Sequence, residues 1–243
     1  MAPIELTGER TAPGIERENY WFRRHEAAYQ WVIDQLDPTG ADVVDAGSGE
    51  GYGADMLRRA GAASVVALEY DEAAAAHSSA LYPQVITLRA NLDAIPLPAA
   101  SADLLVCLQV IEHLWDLGRF LQECRRVLRP RGRIVLATPN RVTFSPGLGR
   151  HAKPTNPFHV EEFDAEQVAG MLRAAGFRGV SVLGVHHGPA IPADLVARQI
   201  DAAVTGSWPD ELLAKVAAVS VTDFAVRAED VGESLDLIGT GHA

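Results

Sequence analysis

Cysteine is nearly absent. The 243 residues hold two, Cys107 and Cys124. They fall in different predicted elements, a strand and a helix, so neither a disulfide framework nor a metal-binding cysteine spacing can be read. A reducing cytoplasm is the expected location. No apolar run approaches the ~20 residues that a membrane span needs. The opening Met1-Ala2-Pro3-Ile4-Glu5 lacks the charged-then-apolar order of a secretion signal. Positive charge is also scarce: 21 Lys and Arg stand against 32 Asp and Glu, for a net charge of −11. Such a chain is a poor partner for polyanions, so no nucleic acid and no membrane partner is expected. The local basic patch of Arg125, Arg126, Arg129, Arg131 and Arg133 reads as the polar face and C-terminal end of a helix. Internal repeats and low-complexity tracts are missing. Hydrophobic residues make up 48%, enough for one sizeable domain with a core of its own.

The most informative stretch is Val43-Val44-Asp45-Ala46-Gly47-Ser48-Gly49-Glu50-Gly51-Tyr52-Gly53. β-Branched apolar residues lead into an acid, then into alternating glycines, then into a segment that can be helical. The pattern is a strand that turns tightly and feeds a helix. Glycine accepts positive φ there and lets a ligand lie against bare backbone. The spacing is G-x-G-x-G, unlike the G-x-G-x-x-G of pyrophosphate-binding turns. Asp45 at the strand end is a poor phosphate neighbour and suits a ligand with a cationic end. A second strand, Ser64-Val65-Val66-Ala67-Leu68-Glu69, ends in another acid about 20 residues further on. A carboxylate at that place accepts hydrogen bonds from both ribose hydroxyls of a nucleoside. Glu69 is the candidate, with Tyr70 beside it, and Asp71 competes for the role.

Along the chain, strands alternate with helices. A helix is predicted over 16–36, then strand 42–46, helix 52–60, strand 64–69, helix 72–81, and strands 85–89 and 102–108. Helix 115–128, strand 133–138, a Pro/Gly-rich loop at 139–158, helix 164–175 and strand 178–185 follow. Residues 189–230 read as mostly helical, and a closing strand is predicted over 234–240. The alternation implies an α/β, doubly wound, mostly parallel sheet with right-handed crossovers. Residues 1–40 form a helical N-terminal lid in this reading. Residues 41–243 form the main domain, carrying loop 139–158 and the helical insertion 189–230 as further lid elements.

The Gly-rich turn resembles the first motif of the class I S-adenosylmethionine-dependent methyltransferases, (D/E)-x-G-x-G-x-G. The resemblance implies a Rossmann-like seven-stranded sheet whose last strand pairs back antiparallel. It implies S-adenosyl-L-methionine bound by Asp45, Gly47, Gly49, Gly51, Glu69 and Tyr70. Arg89-Ala90-Asn91-Leu92-Asp93-Ala94-Ile95-Pro96-Leu97 matches the segment after the family's third strand, with Asn91 in place of its acid. Asn91 offers a carbonyl oxygen to the adenine amino group, and Leu92 a backbone N–H to a ring nitrogen. Leu128-Arg129-Pro130-Arg131-Gly132-Arg133 resembles the family's structural Leu-Lys-Pro-Gly-Gly turn, with Arg131 replacing one glycine.

The fourth strand ends in Leu108-Gln109-Val110-Ile111-Glu112-His113-Leu114, at the carboxyl edge where open α/β sheets place ligands. The fifth ends in Thr138-Pro139-Asn140, and a loop then delivers Asn156-Pro157-Phe158-His159-Val160-Glu161-Glu162-Phe163. This combination resembles the metal-dependent small-RNA 3′-terminal 2′-O-methyltransferases, in which two Glu and two His hold a divalent ion that grips a vicinal diol. Glu112, His113 and His159 match three of those ligands, and Gln109 stands at the fourth. The resemblance implies Mg²⁺ or Mn²⁺ on these residues, with Gln109 also touching the cofactor. Glu112, His113 and His159 are the catalytic candidates, and His159 or His151 is the alternative base. The RNA-binding regions of that family are not found, so the site chemistry transfers and the substrate does not.

A wider resemblance covers most of the chain. The segments Thr138 to His159, His186-His187-Gly188-Pro189 and Ser207-Trp208-Pro209 to Ile238 look like an actinobacterial group. That group includes the 1-O-methyltransferase of α-1,4-oligomannosides in methylmannose polysaccharide synthesis. It implies O-methylation of a small carbohydrate, whose O1 and O2 form a vicinal pair. Trp21, Trp115 and Trp208 could stack on sugar faces, though packing roles are expected for each. The other enzyme reading is O-methylation of a phenol, a quinone precursor or a macrolide sugar. A non-catalytic nucleoside-binding protein is the third reading; the intact turn with Asp45 and Glu69 argues against it. Self-association into a homodimer is left open.

Overall fold

The computed structural model describes residues 11–243. A 3-10 turn, Glu16–Glu18, leads into α1 (Asn19–Leu36). Then come β1 (Asp42–Ala46), α2 (Tyr52–Arg59), β2 (Ser64–Glu69), α3 (Glu72–Leu81), β3 (Ile86–Arg89), β4 (Ala102–Leu108), α4 (Leu117–Val127) and β5 (Leu128–Pro139). The remainder is α5 (Arg141–Phe144), α6 (Ala165–Ala174), β6 (Arg178–His187), α7 (Leu195–Thr205), α8 (Asp210–Ala218), β7 (Phe224–Arg227) and β8 (Asp236–His242).

The strands form one sheet in the order β3-β2-β1-β4-β5-β8-β6-β7. The first five in that order pair parallel. β8 inserts antiparallel between β5 and β6, and β7 pairs antiparallel on the outer edge of β6. The sheet is therefore mixed and eight-stranded, where seven strands were expected. The added strand, β7, lies inside the 189–230 stretch read as helical. It is four residues long, with Phe224 buried and Ala225 and Arg227 exposed. A run so short carries little periodic signal, and it is a strand because β6 supplies its hydrogen bonds.

Alternation along the strands builds the two faces of the core. Val43, Leu104, Val106, Val135 and Ala137 point to one face, under residues of α1, α2, α7 and α8. Val44, Leu105, Cys107, Ile134 and Leu136 point to the other, under residues of α4 and α6. α1 belongs to this packing. Tyr20, Ala27, Ala28, Tyr29 and Val32 on its inner face are buried, and so is Arg24. Arg24 Nε donates to Asp236 Oδ2 of β8 at 2.6 Å, and a second guanidinium nitrogen pairs with the other carboxylate oxygen. The basic patch is equally structural: Arg126 bonds Glu123, Arg129 bonds Asp42 and Asp103, and Arg133 bonds the Leu36 carbonyl. Arg131, in the place of a turn glycine, takes φ 69°.

Candidate active site

The Gly-rich turn leaves β1 at the carboxyl edge of the sheet. The Gly47 and Ser48 N–H groups donate to the Leu68 carbonyl of β2 at 2.8 and 3.0 Å, which ties the two strand ends together. Gly47 has φ 80°, and a Cβ there would strike the Val110 side chain. Bare backbone is therefore required by conformation and by space. Glu69, buried at the end of β2, accepts from the Gly49 N–H through Oε2 and from the Asp71 N–H through Oε1, both at 2.8 Å. Asp71 caps α3 by accepting from the Ala74 N–H at 2.9 Å. The turn and the second-strand acid are thus one hydrogen-bonded unit.

A cavity of about 730 Å³ opens over this unit. That volume lies within the ~300–1,000 Å³ of small-molecule sites. Gly47, Gly49, Glu69, Tyr70, Asn91, Leu92 and Gln109 line it, as do Asp71, Ser48 and Glu50. Gly51 does not: it turns toward Ser78 of α3. Asn91 Oδ1 accepts from the Asp93 N–H at 3.0 Å and caps a 3-10 turn. Gln109 holds φ 58° where the chain leaves β4.

Asp45 sits beneath the cavity wall rather than on it. Both of its oxygens lie 3.1 Å from the Tyr29 hydroxyl, which donates to them. Burial pushes the Asp45 carboxyl up to about 7, the Tyr29 hydrogen bond opposes that rise, and nearby Glu69 adds to it. Tyr29 itself lines the cavity with His25, Tyr52 and Thr11. None of these four is a site candidate in the sequence reading. Their contact with the motif joins positions far apart in the chain, through the packing of α1.

His113, Leu114, Trp115 and Phe158 also line the cavity. Glu112 and His113 belong to a 3-10 turn, Ile111–His113, that follows β4. The loop carrying His159 is stitched to this turn: the Val160 and Glu161 N–H groups donate to the Glu112 carbonyl at 2.7 and 3.3 Å. One ligand atom each from Glu112, His113 and His159 lies within 4.8 Å of the others. His113 and His159, 46 positions apart in sequence, are thereby brought together. The rings of His113 and His159 meet edge to face, with centroids 5.0 Å apart. His113 Nδ1 lies 3.0 Å from the Phe158 carbonyl, and His159 Nδ1 lies 2.8 Å from Glu162 Oε1. Asn156 Nδ2 lies 3.0 Å from His159 Nε2. The Thr138 hydroxyl donates to Glu112 Oε2 at 3.0 Å. Burial pushes the Glu112 carboxyl up to about 7 against its own backbone N–H, His159 and Thr138. Burial also raises Glu162, but the His159 hydrogen bond and nearby charges outweigh it, and the net shift is downward.

His113 faces the cavity, whereas Glu112 and His159 lie buried behind it. His151 is elsewhere: its side chain is exposed and lies 3.2 Å from Glu161. Trp21 and Trp208 pack against the core as expected. Trp115 departs from that expectation, being 89% exposed at the cavity rim. Glu162 was overlooked in the sequence, although an acid three residues after a candidate His was a readable signal.

Likenesses to known proteins bear on this arrangement. A family described as a methyltransferase domain matches residues 44–136, which run from the Gly-rich turn through β5. A probable S-adenosylmethionine-dependent methyltransferase of Mycobacterium tuberculosis is 48% identical over 250 residues, covering 98% of this chain and 89% of the relative. The ubiquinone biosynthesis O-methyltransferase of Xanthomonas axonopodis is 28% identical over 172 residues, covering 66% of this chain and 72% of that protein. Among solved structures, a methyltransferase from Thermotoga maritima, described as a possible histamine N-methyltransferase, superposes with TM-score 0.63 at 18% identity, over 93% of this chain and 97% of that one. That likeness shows the fold. The chain belongs to the class I S-adenosylmethionine-dependent methyltransferases. It is similar over nearly its full length to the probable mycobacterial methyltransferase, and its activity is methyl transfer from S-adenosylmethionine.

Proposed function

We propose that the acceptor is a sugar hydroxyl, and specifically the 1-OH of short α-1,4-oligomannosides in polymethylated polysaccharide synthesis. The observation that carries this reading is the convergence of Glu112, His113 and His159 beside the cavity that Glu69 also lines. A neutral, hydroxyl-rich acceptor also suits a chain of net charge −11.

S-Adenosylmethionine, when bound, supplies a methyl group on a sulfonium centre. The cradle fits it: bare backbone at Gly47 and Gly49, and the Glu69 carboxylate held at the ribose end. The protein's main contribution is to hold donor and acceptor in line. A sugar hydroxyl has a pKa well above neutral, so a base must take its proton as the new O–C bond forms. With Nδ1–H given to the Phe158 carbonyl, His113 presents Nε2 as that acceptor at the cavity wall.

The same donor set could hold a divalent cation once Asn156 Nδ2, 3.0 Å from His159 Nε2, gives up that nitrogen. Each imidazole gives its Nδ1–H to a carbonyl or carboxylate, the outer-shell arrangement found around metal-bound histidines. Glu112, His113, His159 and the amide oxygen of Gln109 would hold Mg²⁺ or Mn²⁺, which would lower the pKa of a hydroxyl bound to it. The N-terminal residues 1–40, loop 139–158 and the 189–230 insertion act in this reading as lids that exclude water; residues 1–10 lie outside the described part of the chain.

The test is labelled-methyl transfer across a panel of α-mannosides and phenols, with and without chelator. The reading predicts label in mannoside, lost on chelation and restored by Mg²⁺ or Mn²⁺. Full activity in excess chelator would leave His113 as a plain base. The second reading, a phenolic acceptor, is favoured by the likeness to the ubiquinone O-methyltransferase over two thirds of the chain. Label in phenols alone would select it.

A further inference from the structure

Two aromatic side chains that line the cavity are largely exposed. Trp115 is 89% exposed and Phe158 is 56% exposed, yet both line the cavity, and His113 lines it with them. Large apolar side chains are ordinarily buried, and exposed ones lining a concave site signal a ligand. Phe158 is held in place from both sides. Its N–H donates to Asn156 Oδ1 at 3.0 Å, and its carbonyl faces His113 Nδ1 at 3.0 Å. Trp115 stands two residues past His113, just before the Asp116 cap of α4, whose side chain accepts from the Arg119 N–H at 2.9 Å. The backbone on either side of the imidazole is therefore fixed, and each fixed segment projects an aromatic ring.

We propose that Trp115 and Phe158 form a stacking platform for the acceptor sugar ring, and that the platform sets which hydroxyl meets His113. The proposal rests on the sugar reading above. A pyranose has an apolar C–H face that packs on an aromatic ring and a polar rim that needs hydrogen bonds. Donors and acceptors that can serve that rim, Gln109, His25 and Tyr52, line the same cavity. A flat phenol would call for a closed apolar slot, whereas these two rings are open to solvent. Stacking also explains how a neutral acceptor with no charge to grip is oriented within hydrogen-bond reach of one imidazole nitrogen.

The test compares the parent with Trp115→Ala, Phe158→Ala and Trp115→Phe, using short α-1,4-oligomannosides and, as a ringless control, mannitol. Calorimetry with S-adenosylmethionine shows that each variant is folded and keeps its donor site. The platform predicts a rise in acceptor KM of roughly tenfold for each alanine variant. It predicts a smaller change in kcat, unchanged donor affinity, and recovery of most of the affinity in Trp115→Phe. Any turnover of mannitol should be insensitive to all three changes. Unchanged acceptor KM in both alanine variants overturns the platform while leaving the sugar reading intact. A parent enzyme that methylates phenols and no mannoside overturns the sugar reading and the platform with it.

Discussion

His159 and Glu162 form a buried pair, Nδ1 to Oε1 at 2.8 Å, one turn of chain apart in the loop before α6. The carboxylate fixes the ring's orientation and tautomer. Glu162→Gln should therefore reduce methyl transfer by roughly 10- to 100-fold. Donor affinity, measured by calorimetry, should not change. Equal losses in donor binding and turnover would show that the substitution merely disrupts the loop.

The donor site makes a sharper demand. Gly47→Val should abolish S-adenosylmethionine binding, because its side chain would collide with Val110 at a backbone of φ 80°. Glu69→Ala should weaken binding by roughly 1–3 kcal/mol. Part of that loss would come from the Gly49 N–H, which gives its hydrogen bond to Glu69. Calorimetry on both variants reads this directly, and parent-like affinity in both would refute the cofactor assignment.

Asp45 gives the apo protein a pH signature. Its carboxyl is raised from 3.8 to about 7, chiefly by burial. The folded state therefore holds a proton that the unfolded chain releases. The resulting stability is present in full below about pH 4 and is lost as pH rises toward 7, by up to about 1.4 kcal/mol per pH unit. Asp45→Asn keeps a partner for Tyr29 and removes the titration. Denaturant unfolding at several pH values should show a flatter decline in the variant across this window. Parallel pH profiles would contradict the assignment.

Arg24 and Asp236 tie the first helix to the last strand in a buried ion pair. Removing one partner leaves the other charge buried and alone, so Arg24→Ala should cost roughly 3–5 kcal/mol. Replacing both with leucine should cost much less. Thermal unfolding of the single and double variants checks this, and similar midpoints for the two would argue against the pair.

The parts of the fold and site that were legible in the sequence are those written locally. Gly47, Gly49 and Glu69 announce themselves because a tight turn needs glycine and a strand end shows its acid. Glu112 and His113 follow a strand directly, and His159 stands in a loop that the fifth strand must deliver to the same edge. What was not legible depends on packing. Tyr29 meets Asp45 because α1 lies across the first strand, and no spacing within either segment says so. β7 exists because β6 offers it an edge. Trp115 looked like a core residue by type, and only its position after the His113 turn puts it in the open.

The most direct measurement is transfer of a labelled methyl group from S-adenosylmethionine to an α-1,4-oligomannoside by the parent and by His113→Ala, with the methylated position assigned by NMR. The account predicts label on O1 for the parent and a loss of at least ~100-fold in the variant, with donor affinity retained. Parent-like transfer by His113→Ala, or label that never reaches a mannoside hydroxyl, would contradict it.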